Sequence, residues 1–415
     1  MILRSNASLL AFSVLILSPT AGWAKTSEWP EYRGPHGNGH AEATSLPTSI
    51  DESVVKWRTK IPGKGWSSPV VSGDQIWMTT ANEEGTKLSV VCVNRQTGKI
   101  IHNKVALRNN KPEYCHPMNS YATPTPVIKN GRVYAHFGTY VTACFDAATA
   151  KVLWQRDDLH CDHHRGPASS PILYDGKLFV AFDGYDVQYV VALDQETGET
   201  VWKQDRNIDY GTDNGDRMKA YCTGHIIEVD GKKQLVYPSA SATVSYDPAN
   251  GEPLWTVQHE GMNAAARPLF HDGLVFITNG SGGMIAVRAD GHGDVTGTHI
   301  QWSTNKAVAK KSSQLIVDGM LYMLSDDGIV SCRDAKTGDI FWQKRKLGDS
   351  AASPVYAAGH IYFFSIDGEI LTIKPGDEYN EVAKTTLGDG FMASPAIVDD
   401  TMILRSKSEL FCIAK

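Results

Sequence analysis

The segments FDAATAKVLW (145–154), LDQETGETVW (193–202), YDPANGEPLW (246–255) and RDAKTGDIFW (333–342) are four copies of one pattern. In each, an Asp precedes a tight turn and a Trp closes the unit. Upstream of these closing segments the chain repeats a second signal, a doublet that opens a strand pair. The doublets are Ser68-Pro69, Thr125-Pro126, Ser170-Pro171, Thr223-Gly224, Arg267-Pro268, Ser313-Gln314, Ser353-Pro354 and Ser394-Pro395. Their spacing of roughly 40–57 residues is that of a four-stranded propeller blade. Eight openings predict an all-β, eight-bladed β-propeller.

Residues 168–202 show how one unit is built. ASSPILYD ends in an Asp175-Gly176 turn, KLFVAFDG alternates as a strand, YVVALD is a third strand closed at Glu196-Thr197-Gly198, and ETVWKQD is a fourth. Short strands separated by Asp-Gly and Thr-Gly turns make an antiparallel meander. A lone sheet of this kind cannot bury two apolar faces, and radial stacking of copies does. The pattern drifts along the chain: blade 1 has His102 where others have Trp, blade 5 is stretched to RADGHGDVTGTHIQW, and blade 7 has lost the motif. The eighth unit lacks an outer strand, and SVVKWRTKI (53–61) carries Trp57 in the register of KVLW, ETVW and DIFW. This segment is expected to pair with residues 408–414 and close the ring.

Outside the repeat, Arg4, the apolar stretch from Ala7 to Leu17, and small residues at Gly22 and Ala24 read as a signal peptide cleaved after Ala24. That run is too short for a membrane span, no later segment could cross a bilayer, and no Cys follows the cleavage point to carry a lipid. The expected organisation is a signal peptide (1–24), an extended segment (25–52) and the propeller (53–415), in a periplasmic or secreted protein. The formal charge of −6 becomes −7 once Arg4 is removed, which argues against nucleic acid as a partner. Of the seven cysteines, Cys92, Cys144, Cys332 and Cys412 share a register with Ala192 and read as small core residues.

The Asp–Thr–Gly–Trp repeats resemble the tryptophan-docking motifs of the pyrroloquinoline-quinone (PQQ)-like propeller superfamily, over about residues 53–415. The opening WPEYRGPHGNGHA (29–41) is similar to the start of secreted bacterial members. That superfamily holds quinone-dependent alcohol and sugar dehydrogenases and also a non-enzymatic subunit of the outer-membrane β-barrel assembly machinery. The resemblance therefore implies the fold strongly and activity weakly.

Chemistry is expected on the connections from strand four of one blade to strand one of the next, since long loops on a rigid scaffold carry function. Cys115 with His116, and Cys161 with His160, His163 and His164, lie at equal offsets before successive openings. A Cys115–Cys161 disulfide, a metal site using Cys115, His116, Cys161 and His163, and plain loop packing all remain open. Just upstream of the doublets, Trp66, Tyr121, Arg165, Lys219, Tyr221, Asn263, Lys310, Lys311 and Phe391, with Arg267, are expected to crowd the channel mouth. Cationic and aromatic groups there would suit an anionic or planar ligand, though channel mouths are polar in any propeller. The set Asp209, Asp213, Asn214 and Asp216 lacks the spacing of a calcium loop and reads as a solvated turn.

The dehydrogenases of the superfamily are marked by adjacent cysteines, a Glu/Asn/Asp calcium site and a catalytic Asp. No adjacent cysteines occur here and no such set can be aligned, so PQQ is possible without an assignable site. The expected function is that of an exported binding or scaffolding propeller, with a protein or a small anionic ligand as partner. A PQQ-dependent oxidoreductase with a divergent site is the alternative.

Overall fold

The computed structural model describes residues 28–415, so the expected signal peptide lies outside the described residues. Eight antiparallel sheets follow one another along the chain, each a meander from an inner to an outer strand. Blade 3 is typical, with strands Ile172–Tyr174, Lys177–Asp183, Gln188–Asp194 and Thr200–Asp205 paired in that order. The last blade is hybrid: Ala396–Val398, Thr401–Arg405 and Glu409–Ile413 are completed by Val55–Lys60 on the outside. Trp57 stands opposite Cys412, within the pairing of 53–61 with 408–414 that the sequence predicts.

Two blades carry an extra strand. Glu28–Trp29 lines up on the inner strand of blade 1, with Trp29 opposite Val71. The stretched closing segment of blade 5 has a local explanation. Its Gly293–Asp294 runs parallel to the outer strand of blade 4, opposite Trp255 and Thr256.

The tryptophans lock blades to their neighbours. Trp57, Trp154, Trp202, Trp302 and Trp342 each donate their indole N–H to a turn carbonyl of the next blade: Arg95, Gln195, Pro248, Ala335 and Gly376. For Trp57, Trp154, Trp202 and Trp302 the ring then lies on the turn glycine. A Cβ at Gly198 would sit 2.6 Å from the Trp154 ring, and φ there is +76°, so both contact and conformation call for Gly. The blade-2 turn keeps the left-handed conformation with Ala150 (φ 54°), and that turn receives the smaller His102, whose Nε2 lies 3.0 Å from the Ala148 carbonyl. Trp255, under the added strand, turns inward to Gln234 of its own blade instead.

In the turns of blades 2, 3, 4 and 6 the Asp carboxylate accepts backbone N–H groups, and Asn94 does so in blade 1. Asp194 takes those of Glu196 and Thr197 and the Thr197 hydroxyl. Those bonds, the Thr197 amide foremost, hold its carboxyl below the usual range. Cys92, Cys144, Cys332 and Cys412 are buried free thiols, and Cys144 and Cys332 stand directly opposite Trp154 and Trp342, as Ala192 stands opposite Trp202. A small side chain at that point leaves room for the indole.

Candidate binding cavity

The opening doublets do more than start strands. The Ser68 N–H donates to the Thr125 hydroxyl (2.9 Å), Thr125 N–H to Ser170 (3.0 Å), and Ser170 N–H to Thr223 (3.0 Å). Further round, Arg267 N–H donates to Ser313 (2.9 Å), Ser313 to Ser353 (2.9 Å), Ser353 to Ser394 (2.8 Å), and Ser394 back to Ser68 (3.1 Å). Every blade junction but one is thus tied at the channel by an amide-to-hydroxyl bond. The exception is Thr223 to Arg267, where no hydroxyl is present to accept. This relay escapes a reading of the sequence because each Ser or Thr there also fits an ordinary strand start.

The N-terminal segment crosses the channel beneath this relay. It meets inner strands at Val71, Ile128, Ile316 and Tyr356, each three residues past its blade's hydroxyl. The Pro30 carbonyl accepts from Ile128 N–H, His40 Nε2 lies 2.6 Å from the Ile316 carbonyl, and Gly39 and Ala41 bracket Tyr356. Tyr32 rises to the relay itself, its hydroxyl 2.9 Å from Ser353 Oγ and 3.3 Å from Ser313 Oγ. The segment therefore floors the channel.

Above the floor lies a cavity of about 330 Å³, walled by Trp66, Met118, Tyr221 and Met392 and edged by Arg165, Asn263 and Lys311. The relay hydroxyls of Ser68, Thr125, Ser170, Thr223 and Ser394 face it, with Tyr32 below. Of the residues singled out in the sequence, Trp66, Arg165, Tyr221, Asn263 and Lys311 line this cavity together. Lys219 stands behind them, fully buried, its ammonium donating to Tyr221 Oη (2.8 Å) and Asn263 Oδ1 (2.7 Å) and paired with Asp216 (2.9 Å). Burial lowers the Lys219 ammonium below its usual range, with the Asp216 bond opposing. Burial also raises the Tyr221 phenol, which stays protonated.

Other expected members lie elsewhere. Arg267 is 3% exposed and does not line the cavity; it pairs with Glu31 (2.8 Å) and donates to the Tyr32 carbonyl (2.6 Å), anchoring the floor. Phe391 is buried edge-on against Phe364. The Tyr121 hydroxyl donates to the Glu113 carbonyl, and Lys310 is an exposed residue whose N–H donates to Asp326. The cations need no ligand to neutralise them. Arg165 pairs with Asp216 (2.9 Å) and Lys311 with Asp326 (3.2 Å). Asp216, read from sequence as part of a solvated turn, is thus a charge partner for the cavity cation Arg165 and for Lys219 behind it. Burial pushes its carboxyl up, and Lys219 and Arg165 outweigh that and hold it low.

The disulfide expectation is corrected. Cys115 and Cys161 are both free thiols. Their loops do meet, through the His116 N–H to Arg165 carbonyl bond and through Asn119 to Arg165 and Pro167. The sulfurs, however, have separate surroundings. Cys115 Sγ lies 3.8 Å from the Arg165 carbonyl and packs on Gly166, whereas Cys161 Sγ is 3.6 Å from the His163 ring. Nor do Cys115, His116, Cys161 and His163 converge as metal ligands, and among the described residues no group of three or more His, Cys, Asp or Glu does. His163 Nε2 accepts from Thr139 N–H, His116 Nδ1 accepts from Met118 N–H, and burial pushes the Cys115 thiol up to about 11.

A family model described as outer membrane protein assembly factor BamB matches residues 48–189, 89–344 and 186–415, and the chain belongs to this family of PQQ-like propellers. A relative of that name from Moranella endobia (strain PCIT) is 24% identical over 220 residues, covering 49% of this chain and 53% of the relative. The chain thus spans about half the length of that relative. Among solved structures, a europium-containing methanol dehydrogenase superposes with a TM-score of 0.74 at 11% identity, covering 94% of this chain and 98% of the other. BamB from Moraxella catarrhalis superposes with a TM-score of 0.61 at 13% identity, covering 87% and 99%. At such identities the likeness to solved structures shows the fold alone.

The donor set tests whether a quinone redox centre would fit. Such a centre needs carboxylates beside the quinone, to hold a metal and to take a proton. Among the described residues no Asp or Glu lines the cavity. Its nearby carboxylates, Asp216 and Asp326, are engaged by Arg165, Lys219 and Lys311. The residues present do not fit a quinone–calcium redox centre.

Proposed function

We propose that this chain is an exported propeller, periplasmic or secreted, that binds at its cavity face without oxidising what it binds. The observation that carries this reading is the cavity lining: apolar walls, hydroxyls, the His116 imidazole and compensated cations, with no carboxylate among them to hold a metal beside a quinone. Membership of a family named for an assembly factor supports a scaffolding role. Exposed Tyr114, Met118, Tyr185, Val187 and Met262 also sit on the loops of this face, and apolar side chains grouped around a cavity suit a protein partner. No helix of the described residues is long and apolar enough to cross a membrane. The test is dye-linked oxidation over a panel of alcohols and sugars with added PQQ and Ca²⁺, beside native mass spectrometry of the purified protein. The expected result is no turnover above the blank. Turnover abolished by Arg165→Ala would overturn this reading and promote the quinone-dependent oxidoreductase.

A further inference from the structure

We propose that the cavity recognises the carboxylate of a compact, flat organic acid through the hydroxyls of the interblade relay. This rests on the binding reading above and names the ligand class for it. The argument begins with the direction of the relay bonds. In each link the hydroxyl is the acceptor, because the partner is a backbone N–H. A hydroxyl has one proton to give besides its lone pairs. Among the described residues, Ser68, Thr125, Ser170, Thr223 and Ser394 accept these amide bonds and none of the five hydroxyls donates its proton to a protein acceptor, and all five residues line the cavity.

Two neighbours are polarised in the same sense. The Tyr221 oxygen accepts from the Lys219 ammonium and Asn263 Oδ1 accepts from it too, which leaves the phenol proton and the Asn263 amide protons to be donated. The register of the blades and one buried lysine thus turn the floor and one wall into an array of donors. Oxygens with lone pairs and no protons are what such an array pairs best. A carboxylate accepts about four hydrogen bonds and donates none, and bonds to it are charge-assisted. An alcohol or sugar brings protons that raise the need for acceptors and so matches less well.

The molecule supplies its own precedent. Ser313 and Ser353 are relay members like the others, and there the Tyr32 hydroxyl lies within hydrogen-bond distance of both, as donor or acceptor. A polar group carried on a flat ring is therefore what these hydroxyls already meet on the floored side. Trp66 and Tyr221 offer flat faces for the same shape on the open side. A volume of about 330 Å³ admits one compact molecule.

The test is isothermal titration calorimetry of the whole mature chain with benzoate, and with benzamide as a neutral partner of the same shape. Benzoate is expected to bind at least about tenfold more tightly than benzamide, the lower end for bonds to a charged group. Tyr221→Phe keeps the wall and removes one donor, and should weaken benzoate about tenfold while leaving benzamide within about threefold. Ser170→Ala should weaken benzoate as well, and Tyr221→Phe guards against its loss of a relay bond disturbing the fold. Equal affinity for the two probes, no benzoate binding at millimolar concentration, or affinity indifferent to Tyr221→Phe would each overturn the proposal. Dye-linked turnover would sink the binding reading instead, whereas preferential binding of benzamide or glucose would sink only the ligand class.

Discussion

The hydroxyl relay has two arcs built from the same device and put to different use. Through blades 6 and 7, Ser313 and Ser353 meet Tyr32, and the channel is filled by protein. From blade 8 round to blade 4, the hydroxyls accept the same kind of amide bond and open onto the cavity. The backbone of the repeat does not decide between these outcomes. The N-terminal segment does, by delivering one aromatic oxygen to one side of the ring. The break between the arcs has a use as well: Arg267, the one opening residue without a hydroxyl, is the cation that holds Glu31 and Tyr32 in place.

Neither arc exists unless the ring is closed. Deleting residues 53–61 would strip the outer strand from the last blade, expose the edge at Glu409–Ile413 and remove the Trp57 bond to blade 1. The expected outcome is loss of the cooperative fold, read by circular dichroism and thermal melting. A folded ring after this deletion would show that closure depends on the inner relay. Next in size is Arg267→Ala, which leaves Glu31 buried without its cation. Burial already pushes that carboxyl up against the opposing field of Arg267. Breaking a buried pair costs about 3–5 kcal/mol, to be measured by denaturant unfolding. A loss below about 1 kcal/mol would mean that the floor is held by its other contacts.

Acid separates the arcs by another route. His136 and His163 are buried and His225 and His259 half-buried, in blades 2 and 4 or the loops that follow them, behind the open arc, whereas His40, whose pKa burial also lowers, stands on the floored side. Burial lowers His163 and His259 to about 4, and His136 and His225 to about 3, from an ordinary 6.5. The unfolded chain therefore takes up protons below pH 6.5 that the folded chain refuses. Stability is full above that value and falls as pH drops toward 4, by about 1.4 kcal/mol per unit for each imidazole. Hydrogen exchange at pH 5 against pH 7 should show blades 2 to 4 losing protection first. Uniform loss round the ring would erase the distinction.

Fold and site were not equally legible. Strand period, turn chemistry and the Trp register are local signals, so the eight blades and the hybrid closure by Val55–Lys60 could be read directly. Trp66, Arg165, Tyr221 and Lys311 were placed at the mouth because blade starts must converge there. What could not be read was which charges meet. Arg267 looks like a funnel cation until Glu31 arrives from 236 positions upstream, as the numbering shows. Equal offsets of Cys115 and Cys161 predict neighbouring loops correctly, yet sulfur-to-sulfur geometry depends on Gly166 and His163, which offset does not encode. The relay was visible as seven Ser or Thr residues and was missed because a hydroxyl that accepts across blades leaves no trace in spacing.

The smallest expected effect is the most direct measure of the difference between the arcs. Ser170→Ala and Ser353→Ala each leave one buried N–H, of Thr125 or of Ser313, without its acceptor. That loss costs about 1–3 kcal/mol in either case. Ser353→Ala also removes a bond to Tyr32, worth about 0.5–1.5 kcal/mol. The filled arc should therefore suffer more from the same substitution. A double-mutant cycle isolates the term: Tyr32→Phe with Ser353→Ala should couple by about 0.5–1.5 kcal/mol, while Tyr32→Phe with Ser170→Ala should be additive. Coupling at Ser170 equal to that at Ser353 would mean that Tyr32 acts on the whole relay, and the two arcs would then be one cooperative ring.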